Sequence, residues 1–112
     1  MEPIFHITTA AAWEAARAAG AYAADSLATE GFIHLSTRAQ VLMVADNLFR
    51  GETGLVLLAV DPARLEAELR YDEVAPGQRF PHLYGPLNLD AVVAVHPFPP
   101  EPDGSFRLPA GA

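Results

Sequence analysis

LVLLAV, residues 55–60, sets six apolar residues in a row before Asp61. A short unbroken apolar run of this kind reads as a strand buried on both faces, and the rest of the chain must supply what covers it. Asp61 can cap a short helix that Pro62 opens, at the one helical position where a missing N–H costs nothing. Upstream, PIFHI (3–7) alternates, with Ile4 and His6 on one face and Phe5 and Ile7 on the other, and predicts a first strand. TTAAAWEAARAAG (8–20) predicts a helix: Thr8 or Thr9 caps it, alanine favours it and Gly20 stops it. Residues 21–30 are expected to form a loop.

GFIHLST (31–37) predicts a second strand with Phe32, His34 and Ser36 on one face and Ile33 and Leu35 on the other. Thr37 and Gln40 form a capping box, after which Val41, Val44, Ala45 and Leu48 recur at helical spacing until Gly51. LRYDEV (69–74) alternates as a strand. APGQRFPHLYGPLN (75–88), with three prolines and two glycines, reads as a loop. LDAVVAVHPF (89–98) is the last strand, and the proline-rich tail from Pro97 to Ala112 reads as a surface arm. The interspersed strands and helices are too few and too closely spaced for a doubly wound sheet, so a compact α+β domain with a mixed sheet is expected over residues 1–112.

The totals exclude several chemistries. The chain has 112 residues, 51% hydrophobic, enough for one buried core. Without cysteine there is no disulfide, thiolate metal site or cysteine nucleophile, which suits a reducing cytoplasm. Seven arginines and no lysine remove a Schiff-base lysine and a lysine-bearing phosphate loop. A net charge of −7 with scattered arginines argues against a long nucleic acid. No apolar run approaches the roughly 18 residues of a membrane helix, and the N-terminus has no cleavable signal pattern, so a soluble, unprocessed protein without a membrane partner is expected. Oligomeric state is not legible.

Chemistry centres on the histidines. His6 and His34 each lie mid-strand, two residues before Thr8 and Ser36, close to a helix start. Helix N-termini attract anions through free backbone donors and the helix dipole, so a phosphate-bearing small molecule is the expected partner. The plainer alternative is a core imidazole bonded to a carbonyl. RFPHLYGPL (79–87) gathers Arg79, Phe80, His82 and Tyr84 between Pro81 and Pro86, the ingredients of a binding rim, or else a plug whose Phe80, Leu83 and Leu87 fill the core. A zinc site built on three of the four histidines lacks any short His pair, since 27 and 47 residues separate His6, His34 and His82. A triad of Ser36 with a histidine and an acid lacks G-x-S-x-G, and Ser36 reads as a strand-end or capping residue. Asp72 and Glu73 offer a general base, or a solvated pair of acids.

IFHIT with Trp13, GFIHLST with Gln40, LVLLAVD, and FPHLYGPL running into LDAVVAV together resemble the small bacterial proteins grouped as domain of unknown function 952, over residues 3 to 97. That family is similar in fold to the ADP-ribosyltransferases and RNA 2′-phosphotransferases. The resemblance implies a split, largely antiparallel sheet with flanking helices and a pocket for NAD. It places His6 where the first-strand residue grips NAD and His34 where the second-strand residue stacks near the nicotinamide. The third place falls to His82 or Glu73, with His82 favoured. On this reading His34 and His82 are catalytic, and His6, Thr8, Ser36, Arg79 and Tyr84 hold the cofactor, in a group-transfer enzyme. A non-catalytic nucleotide- or anion-binding module is the alternative, a zinc hydrolase the third.

Overall fold

The computed structural model describes residues 2–112. The fold is mixed α/β with three helices and antiparallel sheets. Strand β4 (Leu55–Val60) lies between β1 (Ile4–Thr9) and β8 (Val92–Pro97). A second sheet sets β6 (Gln78–Tyr84) between β3 (Ile33–His34) and β5 (Glu68–Ala75), and β2 (Ala21–Tyr22) pairs with β7 (Leu87–Asn88). Every pairing of these strands is antiparallel, which corrects the mixed sheet expected from strand–helix alternation. The helices pack beside the strands instead of carrying the chain across to a parallel neighbour.

The apolar run is buried on both faces as its composition requires. Leu58 and Val60 face one core with Ile4, Ile33, Leu35, Leu83 and Leu87. Leu57 and Ala59 face a second with Phe5, Ile7, Val41, Ala45, Phe98 and Phe106. The period-two reading of β1 holds, since Ile4 and Phe5 fall into different cores. Helix α1 (Ala10–Ala19) starts at Thr9, whose Oγ1 accepts from the Ala12 N–H at 3.0 Å, and stops at Gly20. Helix α3 (Val41–Leu48) follows a turn in which Gln40 Oε1 accepts from the Thr37 N–H at 3.0 Å, one half of the expected capping box. Asp61 accepts from Ala63 N–H ahead of the 3-10 turn at Pro62–Arg64.

Three segments depart from expectation. Residues 21–30 hold β2 and helix α2 (Asp25–Glu30) instead of a loop. The supposed loop 75–88 is mostly strand: Pro76 and Gly77 (φ 76°) make the two-residue turn of a β5–β6 hairpin, with glycine where L side chains are strained. Pro81 is tolerated inside β6 because its missing donor faces a position where β3 ends. Its carbonyl accepts from Leu35 N–H at 3.0 Å, and the return bond that would extend β3 past His34 is the one proline cannot make. The tail is no surface arm, since Phe106 is buried, stacks on Phe98 and donates its N–H to Asp46 Oδ1 at 2.8 Å.

Gly85, after β6, has no room for a side chain, because a Cβ there would lie 2.7 Å from Ala67 Cβ. Gly85→Ala is expected to cost about 1–3 kcal/mol through overpacking, read as a lower urea midpoint at unchanged slope.

Candidate functional site

The histidines are positioned by strand pairing. Along β3 and the two residues after it, Ile33 and Leu35 turn into the core and leave His34 and Ser36 on the other face, as alternation requires. An antiparallel bridge joins β1 to this segment: Phe5 N–H donates to Ser36 O at 2.7 Å and Ser36 N–H to Phe5 O at 2.8 Å. The β3–β6 register sets His34 opposite His82. His6, His34, His82 and Ser36, separated by up to 76 positions in the chain, therefore line one cleft of about 380 Å³. Its walls are apolar: Val44, Leu48 and Phe49 from the α3 end, Val74 and Phe80 from the hairpin. Leu48, the last residue of the apolar stripe on α3, is 73% exposed and belongs to this wall.

Each histidine has a distinct setting. His6 is the core imidazole of the plainer reading. Its Nδ1 lies 2.6 Å from the His34 carbonyl, which can only accept, so Nδ1 carries the proton. Nε2 is then an acceptor for the Tyr22 hydroxyl at 2.8 Å. Tyr22 has one proton and gives it to His6, so the Thr8 hydroxyl, 3.0 Å from the Tyr22 oxygen, completes the chain by donating to it. Burial pushes the His6 pKa down to about 4, against the raising effect of the His34 carbonyl. Burial also raises the Tyr22 phenol.

His34 is half exposed, its Nε2 3.1 Å from Glu30 Oε2 on α2. His82 is buried, its Nδ1 2.9 Å from Asp72 Oδ2, and the Tyr84 hydroxyl donates to the same oxygen. Those two hydrogen bonds, Tyr84's first, hold the Asp72 carboxyl below its usual range, and the carboxylate in turn raises the Tyr84 phenol. An ionised Asp72 fixes the proton of neutral His82 on Nδ1 and leaves Nε2 as a free acceptor. Among the described residues Nε2 has no hydrogen-bond partner in the protein. Phe32 stacks on His82 with centroids 4.0 Å apart and meets His34 edge-on at 4.9 Å.

Not every expected site residue reaches the cleft. Thr8 lies with Tyr22 along a separate alanine-walled groove of about 500 Å³. Tyr84 stands behind Asp72 with the Arg70 guanidinium 4.6 Å from its ring centroid. Arg79 contributes its carbonyl, which accepts from Gln40 Nε2 at 2.7 Å. The α1 start is satisfied from within, as Ala10 N–H donates to Gly54 O and Ala12 N–H to Thr9. Glu73 accepts from the Gly77 N–H and serves its own hairpin turn, so Asp72 is the acid beside a histidine. Asp72 was legible only as one of a pair, and Tyr22 lay in a segment read as loop. Among the described residues no three His, Asp or Glu side chains are grouped to hold a metal ion.

An antiparallel α/β domain with a histidine-lined cleft is the class these features define. Residues 7–95 match the family model described as a protein of unknown function (DUF952), and the chain belongs to that family. It is similar to protein CC0527 from Caulobacter crescentus. The crystal structure of CC0527 is 37% identical, with a TM-score of 0.88 over 95% of this chain and 94% of that one. Its solution NMR structure is 38% identical, with a TM-score of 0.84 over 96% and 94%. The comparison with curated proteins returns no match.

Proposed function

We propose that the histidine cleft binds a nucleotide-type small molecule, with NAD the candidate, and that His82 is the acid–base group of a group-transfer reaction there. The observation that carries this reading is the convergence of His6, His34 and His82 on one apolar-walled cleft, with His82 held by Asp72 and its Nε2 free. The volume, about 380 Å³, lies within the range of roughly 300–1,000 Å³ usual for small-ligand pockets.

The lining suits the planar, neutral end of such a ligand. No arginine lines it, and His6 is neutral with both nitrogens engaged. Phosphates belong at the rim, where the Arg38 guanidinium stands 5.3 Å from the ring centroid of Phe5, a wall residue. The Arg38 ion pair with Glu2 is exposed and therefore weak, so Arg38 is available to an anion. Bound NAD would supply a glycosidic bond to its nicotinamide as the bond to be broken. His82 Nε2 would take the proton of the attacking group, Asp72 would hold the imidazole, and the apolar walls would exclude water. A cysteine-free chain without a membrane-crossing helix among its described residues fits a cytoplasmic setting for this chemistry.

The test is thermal stability against NAD for the unmodified chain, His6→Ala, His34→Ala and His82→Gln, each against its own ligand-free baseline. At one hundred times Kd the unmodified chain should gain about 2.7 kcal/mol, a rise of roughly 10 °C for a domain this size. His6→Ala and His34→Ala should lose the rise, whereas His82→Gln should keep most of it and lose nicotinamide release. A rise without turnover in the unmodified chain would make the protein a binding module. No rise at millimolar NAD would reject the nucleotide reading.

A further inference from the structure

Beside its three histidines the cleft holds one hydroxyl, that of Ser36, to which the proposed transfer assigns no reacting role. Ser36 is 6% exposed and lines the cleft, yet its hydroxyl has no hydrogen-bond partner among the described residues. The hydroxyl is not sealed from solvent, so it is open to a molecule that enters the cleft. Ser36 also differs from the capping residue its sequence suggests. The turn into α3 is held by Thr37 and Gln40, leaving Ser36 at a strand-to-helix junction with its side chain free.

Its position is stiff. Both backbone groups of Ser36 are bonded to Phe5, and Leu35 N–H is bonded to Pro81 O. Gln40 ties the residue after Ser36 to the strand carrying His82, taking the Thr37 N–H on Oε1 and giving Nε2 to the Arg79 carbonyl. With His34 opposite His82, Ser36 is the diagonal neighbour of His82 on the same face, a separation of roughly 7–8 Å between backbones that side chains can span. His82 has its Nδ1 on Asp72 and its Nε2 free. A hydroxyl, an imidazole with a free acceptor and a carboxylate that orients it are the three parts of an activated serine. In a ligand-free protein the hydroxyl–imidazole contact need not yet be closed.

We propose that Ser36 is a nucleophile, with His82 as its base and Asp72 as the positioning residue, and that it takes the acyl group of a small uncharged ester. Ser36 Oγ would form a bond to the ester carbonyl carbon while its proton passes to His82 Nε2. The carbon–oxygen bond to the leaving alcohol would then break, and the alcohol oxygen would take that proton. Water, deprotonated by the same nitrogen, would release the acid and restore Ser36. The substrate class follows from the lining, apolar walls with no cationic side chain to hold a charged acyl group.

The full chain is treated with p-nitrophenyl acetate and, separately, with a fluorophosphonate probe, the labelled residue being located by mass spectrometry. The expected result is one label, on Ser36, absent in Ser36→Ala. His82→Gln should slow both labelling and p-nitrophenol release on the order of 100-fold, the scale of general-base assistance. Asp72→Asn should lower the rate and alter its pH profile, a change that mere loosening of the fold would not produce. Gln40→Ala should slow labelling less than His82→Gln. Melting curves establish that each variant is folded, and Ser36→Ala removes only one oxygen. No label on Ser36, or full-rate labelling in folded His82→Gln, would overturn the proposal. The assay contains no nucleotide, so its failure is distinct from failure of the NAD reading.

Discussion

Phe106→Ala is expected to destabilise the domain by about 3–5 kcal/mol, the range for removing a buried aromatic ring, out of a total that is roughly 5–15 kcal/mol for domains in general. Phe106 is 6% exposed and lies in the core formed by Phe5, Leu57 and Val41. Its ring stacks on Phe98 with centroids 4.8 Å apart and planes at 26°. Its backbone is pinned through Asp46, and two residues earlier the Gly104 carbonyl accepts from Gly51 N–H at 2.9 Å. The tail thereby closes the sheet face that α3 leaves uncovered. Arg107→Ala, next in sequence with a side chain 84% exposed, is the control and should change stability by less than about 0.5 kcal/mol. Urea unfolding of both variants checks the pair. Equal, near-zero effects would mean that the tail is dispensable to the second core.

Acidification should weaken the fold between pH 6.5 and 4 through His6. Its pKa falls from 6.5 to about 4 on folding, because burial beside Tyr22 disfavours the imidazolium. Between those values the unfolded chain binds the proton and the folded chain does not, so stability rises with pH across the window. The contribution is complete above pH 6.5 and is lost as pH falls toward 4. The full interval corresponds to about 3 kcal/mol. Asp72, also held below its usual range, acts in the same direction at lower pH. Urea midpoints at pH 7 and pH 4.5 measure the slope. His6→Gln, which cannot take a proton, should be less stable at pH 7 yet lose much less between the two values. An unchanged slope in His6→Gln would assign the acid sensitivity to another group.

Much of the domain was legible because burial leaves a local trace. The two-sided burial of LVLLAV, the opposite faces of β1 and the paired faces of GFIHLST follow from a period of two, which any short window records. The Thr9 cap and the Asp61–Pro62 turn are likewise decided within a few residues. Composition misled where it stood in for pairing. The prolines and glycines of 75–88 read as loop, whereas Pro81 sits in β6 only because β3 ends beside it, a fact about another strand. The tail reads as a surface arm because it is polar and proline-rich, whereas the partners of Phe106 are distant in the chain, Phe98 just past β8 and Asp46 on α3.

The sequence by itself determined the strand faces, the helix caps, the absence of cysteine and lysine chemistry, and the histidines as the residues to watch. Tertiary structure decided what each of the three cleft histidines is. His6 is locked between a carbonyl and Tyr22, His34 stands half exposed at Glu30, and His82 is held by Asp72 with Nε2 free. It also chose Asp72 over Glu73 and freed Ser36 from capping. The physical reason is range. Side-chain direction along a strand is set by the next residue, but hydrogen-bond partners and pKa are set by whatever the register brings alongside, 28 positions away for His6 and His34.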